Sequence, residues 1–248
     1  MAGVMDKKDE ADQTGGESLW PDLIKGTLIK RYKRFLADVR LDNDEIVTCH
    51  CANSGSMLEC CEPGREVYLS PQNSPKRRLK YTWEIIRMDT SFVGVNTNIP
   101  NRLVKKSIEN NLIQELNNYD SVKSEVKVSD HSRLDLMLTG SHRRNCLVEI
   151  KNCTLVQDGL AAFPDAVTTR GLKHLVELQR LIKQGNRCVM FYLVQRMDAK
   201  SFSPADNIDP AYGDELRQAE KNGVEILVYD TIIDLKKIKL GKAILLQM

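Results

Sequence analysis

The chain has 248 residues, 42% hydrophobic and 28% charged, with a net charge of +2. That length admits two domains with cores of their own, and the near balance of charge means that any polyanion footprint must come from local clustering. No segment approaches the roughly 18–20 apolar residues that span a bilayer, and Met1 to Asp22 is polar and acidic without the apolar stretch of a signal peptide; the expectation is a cytoplasmic protein with no membrane partner.

Residues 1–22 read as a disordered acidic tail, polar up to about Leu19. From 23 to 98 the chain reads as short strands, at Thr27–Lys30, Arg34–Leu41, Glu45–Cys51, Glu66–Ser70, Tyr81–Arg87 and Ser91–Val95. Turn signals separate them (Asp42-Asn43, Asn53-Ser54-Gly55, Pro63-Gly64, Pro71 to Pro75), which implies a small barrel or sandwich. Near Pro100 the texture changes. Leu103, Val104, Ser107, Ile108, Leu112, Ile113 and Leu116 recur at helical spacing and predict an amphipathic helix over Asn101–Asn118. Strands follow at Val122–Val128, Leu134–Thr139 and Leu147–Lys151, then a helix from about Gly171 to Lys183. Cys188–Val194 reads as a buried strand, Pro210–Asn222 as a third helix and Val224–Tyr229 as a further strand, so residues 99–248 form an α/β sheet.

The chemistry is concentrated in this second part. Glu149-Ile150-Lys151 is one of five acidic-x-Lys triplets, so the triplet alone selects nothing. Strand alternation does select: Glu149 and Lys151 share a face at the end of an apolar strand, and Asp135 interrupts Leu134, Leu136 and Leu138 on the preceding one. Charges inside apolar strands are expensive unless they are paired or bind metal. If the two strands are neighbours, Asp135 and Glu149, aided by the Ile150 carbonyl, form an oxygen site for Mg²⁺ or Mn²⁺. Lys151 would then stabilise hydroxide or phosphoryl charge. Glu125 and His174 are second choices for catalysis. The same pattern also admits an interior ion-pair network with no metal.

Arg31, Lys33 and Arg34 surround Tyr32, and Arg77, Arg78 and Lys80 lead into Tyr81 and Trp83. Cations beside aromatics suit phosphates and stacked bases; a solvated strand edge is the alternative. Arg170 and Lys173, at the second helix, are further candidates for phosphate contact, and Gln195 and Arg196 close a buried strand beside the proposed site. Asn53-Ser54-Gly55-Ser56 reads either as a phosphate cradle or as a plain hairpin turn. Cysteines number seven, an odd count that fits reduced thiols, and Cys49-His50-Cys51 with Cys60-Cys61 is poorly spaced for zinc.

The order helix, strand, strand with Asp135, strand with Glu149-x-Lys151, helix resembles the core of the PD-(D/E)xK nucleases, with Leu134 standing where that superfamily has Pro. Longer strings resemble the sugar fermentation stimulation protein A family. They include Arg31-Tyr32-Lys33-Arg34-Phe35-Leu36-Ala37-Asp38-Val39, Asn53-Ser54-Gly55-Ser56-Met57, Ser132-Arg133-Leu134-Asp135, Glu149-Ile150-Lys151-Asn152, Phe163-Pro164-Asp165-Ala166-Val167-Thr168 and Arg170-Gly171-Leu172-Lys173-His174. The resemblance implies an OB-like β-barrel joined to a nuclease-like mixed sheet flanked by helices, α+β overall. It also implies DNA as the partner, with a role in regulating sugar metabolism. Three functions follow as expectations: a Mg²⁺-dependent DNA nuclease, a non-catalytic DNA-binding regulator, and an RNA-directed nuclease.

Overall fold

The computed structural model describes residues 17–72, 74–129 and 132–248. Residues 1–16 of the expected acidic tail lie outside the described residues. Six strands make the N-terminal sheet, in the order Ile46–Cys51, Leu36–Leu41, Ile24–Tyr32, Glu66–Pro71, Tyr81–Arg87, Phe92–Gly94. Parallel pairing of His50 with Thr82 and Cys51 with Trp83 closes it into an OB-like barrel. Alternation along these strands points Val39, Cys49, Val67, Leu69 and Trp83 inward to one core. The cysteine thiols there behave as small apolar groups, and burial pushes that of Cys49 up to about 12.

The second part is a seven-stranded mixed sheet. Its order is Glu17–Leu19, Lys237–Ala243, Glu225–Ile233, Arg187–Val194, Arg143–Cys153, Ser132–Gly140, Ser121–Ser129. The central strand Arg187–Val194 is buried on both faces, which explains its unbroken apolar run. Val189, Phe191 and Leu193 face helix α1 (Ile99–Glu109), while Met190, Tyr192 and Val194 face helices α2 (Thr169–Lys183) and α3 (Pro210–Lys221). Caps start the last two helices: Thr168 Oγ1 accepts from Gly171 N, and Asp209 Oδ1 from Tyr212 N. A small four-stranded sheet, Leu155–Gln157, Leu160–Phe163, Ser201–Pro204 and Leu245–Leu246, extends this part.

Two expectations change. Glu17–Leu19 is a strand, not a tail: it pairs antiparallel with Lys237, Ile238 and Lys239, and Trp20 behind it is 8% exposed with its indole N–H on the Asp234 carbonyl. A polar composition hid three residues held by backbone pairing and one indole anchor. The first helix stops at Glu109 because Asn111 turns left-handed (φ 56), and Ile113 and Leu116 reach the core through a separate 3₁₀ turn, Gln114–Leu116. Barrel residues Tyr68 and Ile85 pack in the same cluster as Ile99, Leu103 and Phe191, so the two parts share apolar contacts.

Candidate functional site

Position along Arg143–Cys153 decides which way each side chain points. Cys146, Val148 and Ile150 pack on the α1 face, Leu147 and Cys153 on the α2 face. Glu149 and Lys151 therefore project toward α2, where His174 stands one turn into the helix. Lys151 Nζ donates to Glu149 Oε1 at 2.7 Å and lies 3.1 Å from His174 Nδ1, which itself contacts Glu149 Oε1. Glu149 is 3% exposed, and its second oxygen, Oε2, is buried without a hydrogen-bond partner.

Asp135 joins from the neighbouring strand by a route that alternation does not describe. Leu136 and Leu138 pack on the α1 face but Leu134 on the α2 face, so the three leucines do not share one side. Antiparallel pairing between these strands ends at Val148–Leu136, and Asp135 Oδ2 takes the Ile150 N–H at 2.7 Å in place of a backbone partner. A residue's N–H and C=O point to the same side of a strand, so the Ile150 carbonyl faces the gap beside Asp135 as well. Asn101, on the first turn of α1, donates to Asp135 Oδ1 at 2.7 Å. No sequence signal marked Asn101, an ordinary helix-start residue until the fold brings it to Asp135.

Burial, followed by the charge of Glu149, pushes the Asp135 carboxyl up to about 6, against the pull of the Ile150 N–H, Lys151 and Asn101. For Glu149 burial also acts upward, but the His174 hydrogen bond and the Lys151 charge outweigh it and hold the carboxyl below its ordinary value. Among the described residues no three His, Cys, Asp or Glu side chains form a metal cage. The oxygen set here is smaller and hard: Asp135, the orphaned Glu149 Oε2 and the Ile150 carbonyl. Such a set fits a cation that keeps several of its waters, as Mg²⁺ does.

The other expected residues divide. Glu125 does not reach the cluster: it sits at an exposed irregularity (φ 56) and pairs with Arg133 at 3.6 Å. Arg170 and Lys173 are exposed and line, with Arg133 and His174, a cleft of about 560 Å³ beside the cluster. Lys33, Arg34, Arg77, Arg78 and Lys80 are exposed on the barrel. Tyr32 donates to Asp38 Oδ1 at 3.0 Å. Arg31 is not available to a phosphate: its guanidinium holds the carbonyls of Asn53, Gly55 and Ser56 at 2.8–3.1 Å. The loop so braced is no anion cradle either, because Met57 N donates to Asp165 Oδ2 at 2.8 Å and Gly55 N to Asn53 Oδ1 at 2.9 Å. Gln195 and Arg196 are structural. Gln195 Nε2 reaches Asn152 Oδ1 at 2.7 Å while its backbone carbonyl accepts from barrel residue Gly94, and Arg196 is buried on Asp198 and the Thr154 carbonyl.

The described residues thus form an OB-like barrel and a mixed sheet flanked by helices, with a carboxylate–lysine–histidine cluster where two central strands part. The chain belongs to the sugar fermentation stimulation protein family: the profile of its N-terminal OB domain matches residues 29–95, and that of the sugar fermentation stimulation protein RE domain matches 98–237. A sugar fermentation stimulation protein homolog of Geobacter sulfurreducens is 53% identical over 88% of this chain and 93% of its own. That of Geotalea uraniireducens is 53% identical over 84% and 89%. The solved structure of Pyrococcus furiosus SfsA in complex with Ca²⁺ superposes with a TM-score of 0.84 at 26% identity, covering 91% of this chain and 96% of that one. Among the described residues no helix is long and apolar enough to cross a membrane.

Proposed function

We propose that this protein binds DNA and hydrolyses its phosphodiester bonds with a divalent cation, Mg²⁺ or Mn²⁺, held by Asp135, Glu149 and the Ile150 carbonyl. The observation that carries this reading is the buried, unpartnered Glu149 Oε2, on a carboxylate close enough to Asp135 for its charge to push the Asp135 carboxyl up. A buried carboxylate oxygen without a donor is costly unless something cationic completes it. That the Pyrococcus furiosus relative was solved with Ca²⁺ supports a divalent ion at home in this family. The arrangement of Asp135, Glu149-x-Lys151 and a following helix resembles the core of the PD-(D/E)xK nucleases.

When bound, the cation would supply Lewis acidity and lower the pKa of a bound water. The chain's own groups do the rest. Lys151 offers an ammonium, 13% exposed at its side chain, to the charge that builds on the phosphoryl oxygens. His174 fixes Glu149 on one side, and Asn101 fixes Asp135 on the other, so both carboxylates are oriented before substrate arrives. Arg170 and Lys173 would anchor the phosphate backbone at the adjoining cleft, with the basic barrel residues Lys33, Arg34, Arg77, Arg78 and Lys80 adding affinity.

One observation favours a second reading, a DNA-binding regulator without catalysis: Lys151 is already engaged by Glu149 and His174 in a nearly closed network. Incubating labelled DNA with Mg²⁺ or Mn²⁺ separates the two. Cleavage lost in Lys151→Ala supports hydrolysis; retention of DNA with no cleavage under any divalent ion supports the regulator. RNA run in parallel tests the polymer.

A further inference from the structure

We propose that the barrel carries a single strand of nucleic acid along a track from Phe35, through a cleft lined by His50, Arg77 and Arg102, to the carboxylate cluster. This rests on the proposed nucleic-acid reading and adds the substrate's strandedness and the residues that would choose it.

The track begins at a hairpin tip. Phe35 is 48% exposed, and Lys33 and Arg34 before it turn left-handed at φ 49 and 62, as the two central residues of a tight hairpin turn do. The Phe35 ring stacks on His50, centroids 6.5 Å apart and planes 17° from parallel. An exposed ring next to cations is a platform for an unpaired base. His50 in turn lines a cleft of about 580 Å³ between the barrel, the segment from Ser18 to Pro21 and the start of α1.

The cleft is cationic for a physical reason. Arg77 uses one nitrogen on Gln72 Oε1, at 2.8 Å, and on the Thr82 hydroxyl. Among the described residues neither Arg77 nor Arg102 has an ion-pair partner, and Arg102 is exposed. Among the described lining residues the one carboxylate is Glu84. It is 6% exposed, and its two oxygens accept from Ser70 Oγ at 2.7 Å and Asn96 Nδ2 at 2.8 Å, so its hydrogen-bonding capacity is turned inward. A phosphate would supply the two arginines with an anionic partner. Arg102 adjoins Asn101, which holds Asp135, so the wall of the cleft and the Asp135 end of the cluster meet at consecutive residues of α1.

The cleft falls in the range of pockets for small ligands, roughly 300–1,000 Å³, which suits a nucleotide or two. Only unpaired bases can leave the stack for an aromatic platform.

The test is binding of a short labelled single strand, and of the duplex of equal length, in EDTA so that nothing is cut. Phe35→Ala and Arg102→Ala, both at exposed positions and checked by Tm, should each weaken single-strand binding by about tenfold and leave duplex binding within about twofold. Arg144→Ala, an exposed arginine on a distant hairpin, should change either by less than about twofold. Single-strand affinity unchanged in both variants, or lost equally for strand and duplex, overturns the track. Such a result beside intact metal-dependent cleavage overturns the track alone; track-dependent binding without cleavage under any cation overturns only the hydrolytic reading.

Discussion

Replacing Glu149 by glutamine keeps its shape and removes one charge from the centre of the cluster. Glu149 is 3% exposed, accepts from Lys151 Nζ at 2.7 Å and contacts His174. Removing one member of a buried ion pair costs about 3–5 kcal/mol. The Lys151 side chain keeps 13% of its exposure, so the lower figure applies, about 3 kcal/mol. In a chain of this size each kcal/mol moves Tm by about 2–4 °C, giving a fall of about 6–12 °C. The same substitution removes a proposed metal ligand. A cation that binds only the native state stabilises by about 2.7 kcal/mol at a hundred times its Kd. Wild type melted in saturating Mn²⁺ should therefore gain about 5–11 °C, and Glu149→Gln nothing. Paired melts in EDTA and Mn²⁺ read both effects. A variant that melts with wild type in EDTA and rises equally in Mn²⁺ refutes both the buried pair and its role as ligand.

Asp135 gives a pH dependence of definite sign. Its folded carboxyl stands at about 6 against an ordinary 3.8, so the native state holds the proton more tightly. The resulting stability is full below about pH 3.8 and is lost as pH rises through about 6. Asp135→Asn, melted in EDTA, should accordingly be more stable than wild type near pH 7.5 and show little gain near pH 4; equal differences at both would remove Asp135 from the buried cluster. Arg77→Ala with Arg78→Ala should flatten the salt dependence of DNA binding by about 0.7–0.9 in log–log slope for each phosphate that is no longer neutralised; an unchanged slope places the footprint elsewhere. Gly55→Ala would set a Cβ 2.8 and 2.9 Å from the Asp165 carboxylate oxygens. Urea unfolding should report a loss of about 1–3 kcal/mol, and no loss would mean that the loop does not press on Asp165.

Sequence periodicity carried the frame of this fold and half of the cluster. Alternation placed Glu149 and Lys151 on one face, because the strand is straight and its neighbour Arg187–Val194 runs in parallel register beside both residues. It brought Asp135 to the same place but not its attachment, because the strands part there and the side chain takes over a backbone bond. It misled at Glu125, where a left-handed residue breaks the pleat. Composition named Arg31 as a phosphate ligand, but only the tertiary fold shows three carbonyls gathered around its guanidinium. Asn101, Arg102 and Glu84 carried no local signal: each matters through a partner distant in sequence or through the wall of a cleft that the barrel and α1 build together. The short strands Leu155–Gln157 and Leu160–Phe163 fall below the length at which alternation can be read.

On the proposed reading Asp135, Glu149 and Lys151 act together on a phosphodiester. Labelled single- and double-stranded DNA, incubated with Mg²⁺ or Mn²⁺ and with wild type, Asp135→Ala or Lys151→Ala prepared in parallel, tests it directly. Wild type should cleave, and each variant should fall by about a hundredfold or more. Equal degradation by all three proteins, or none by wild type with any divalent ion, would contradict it.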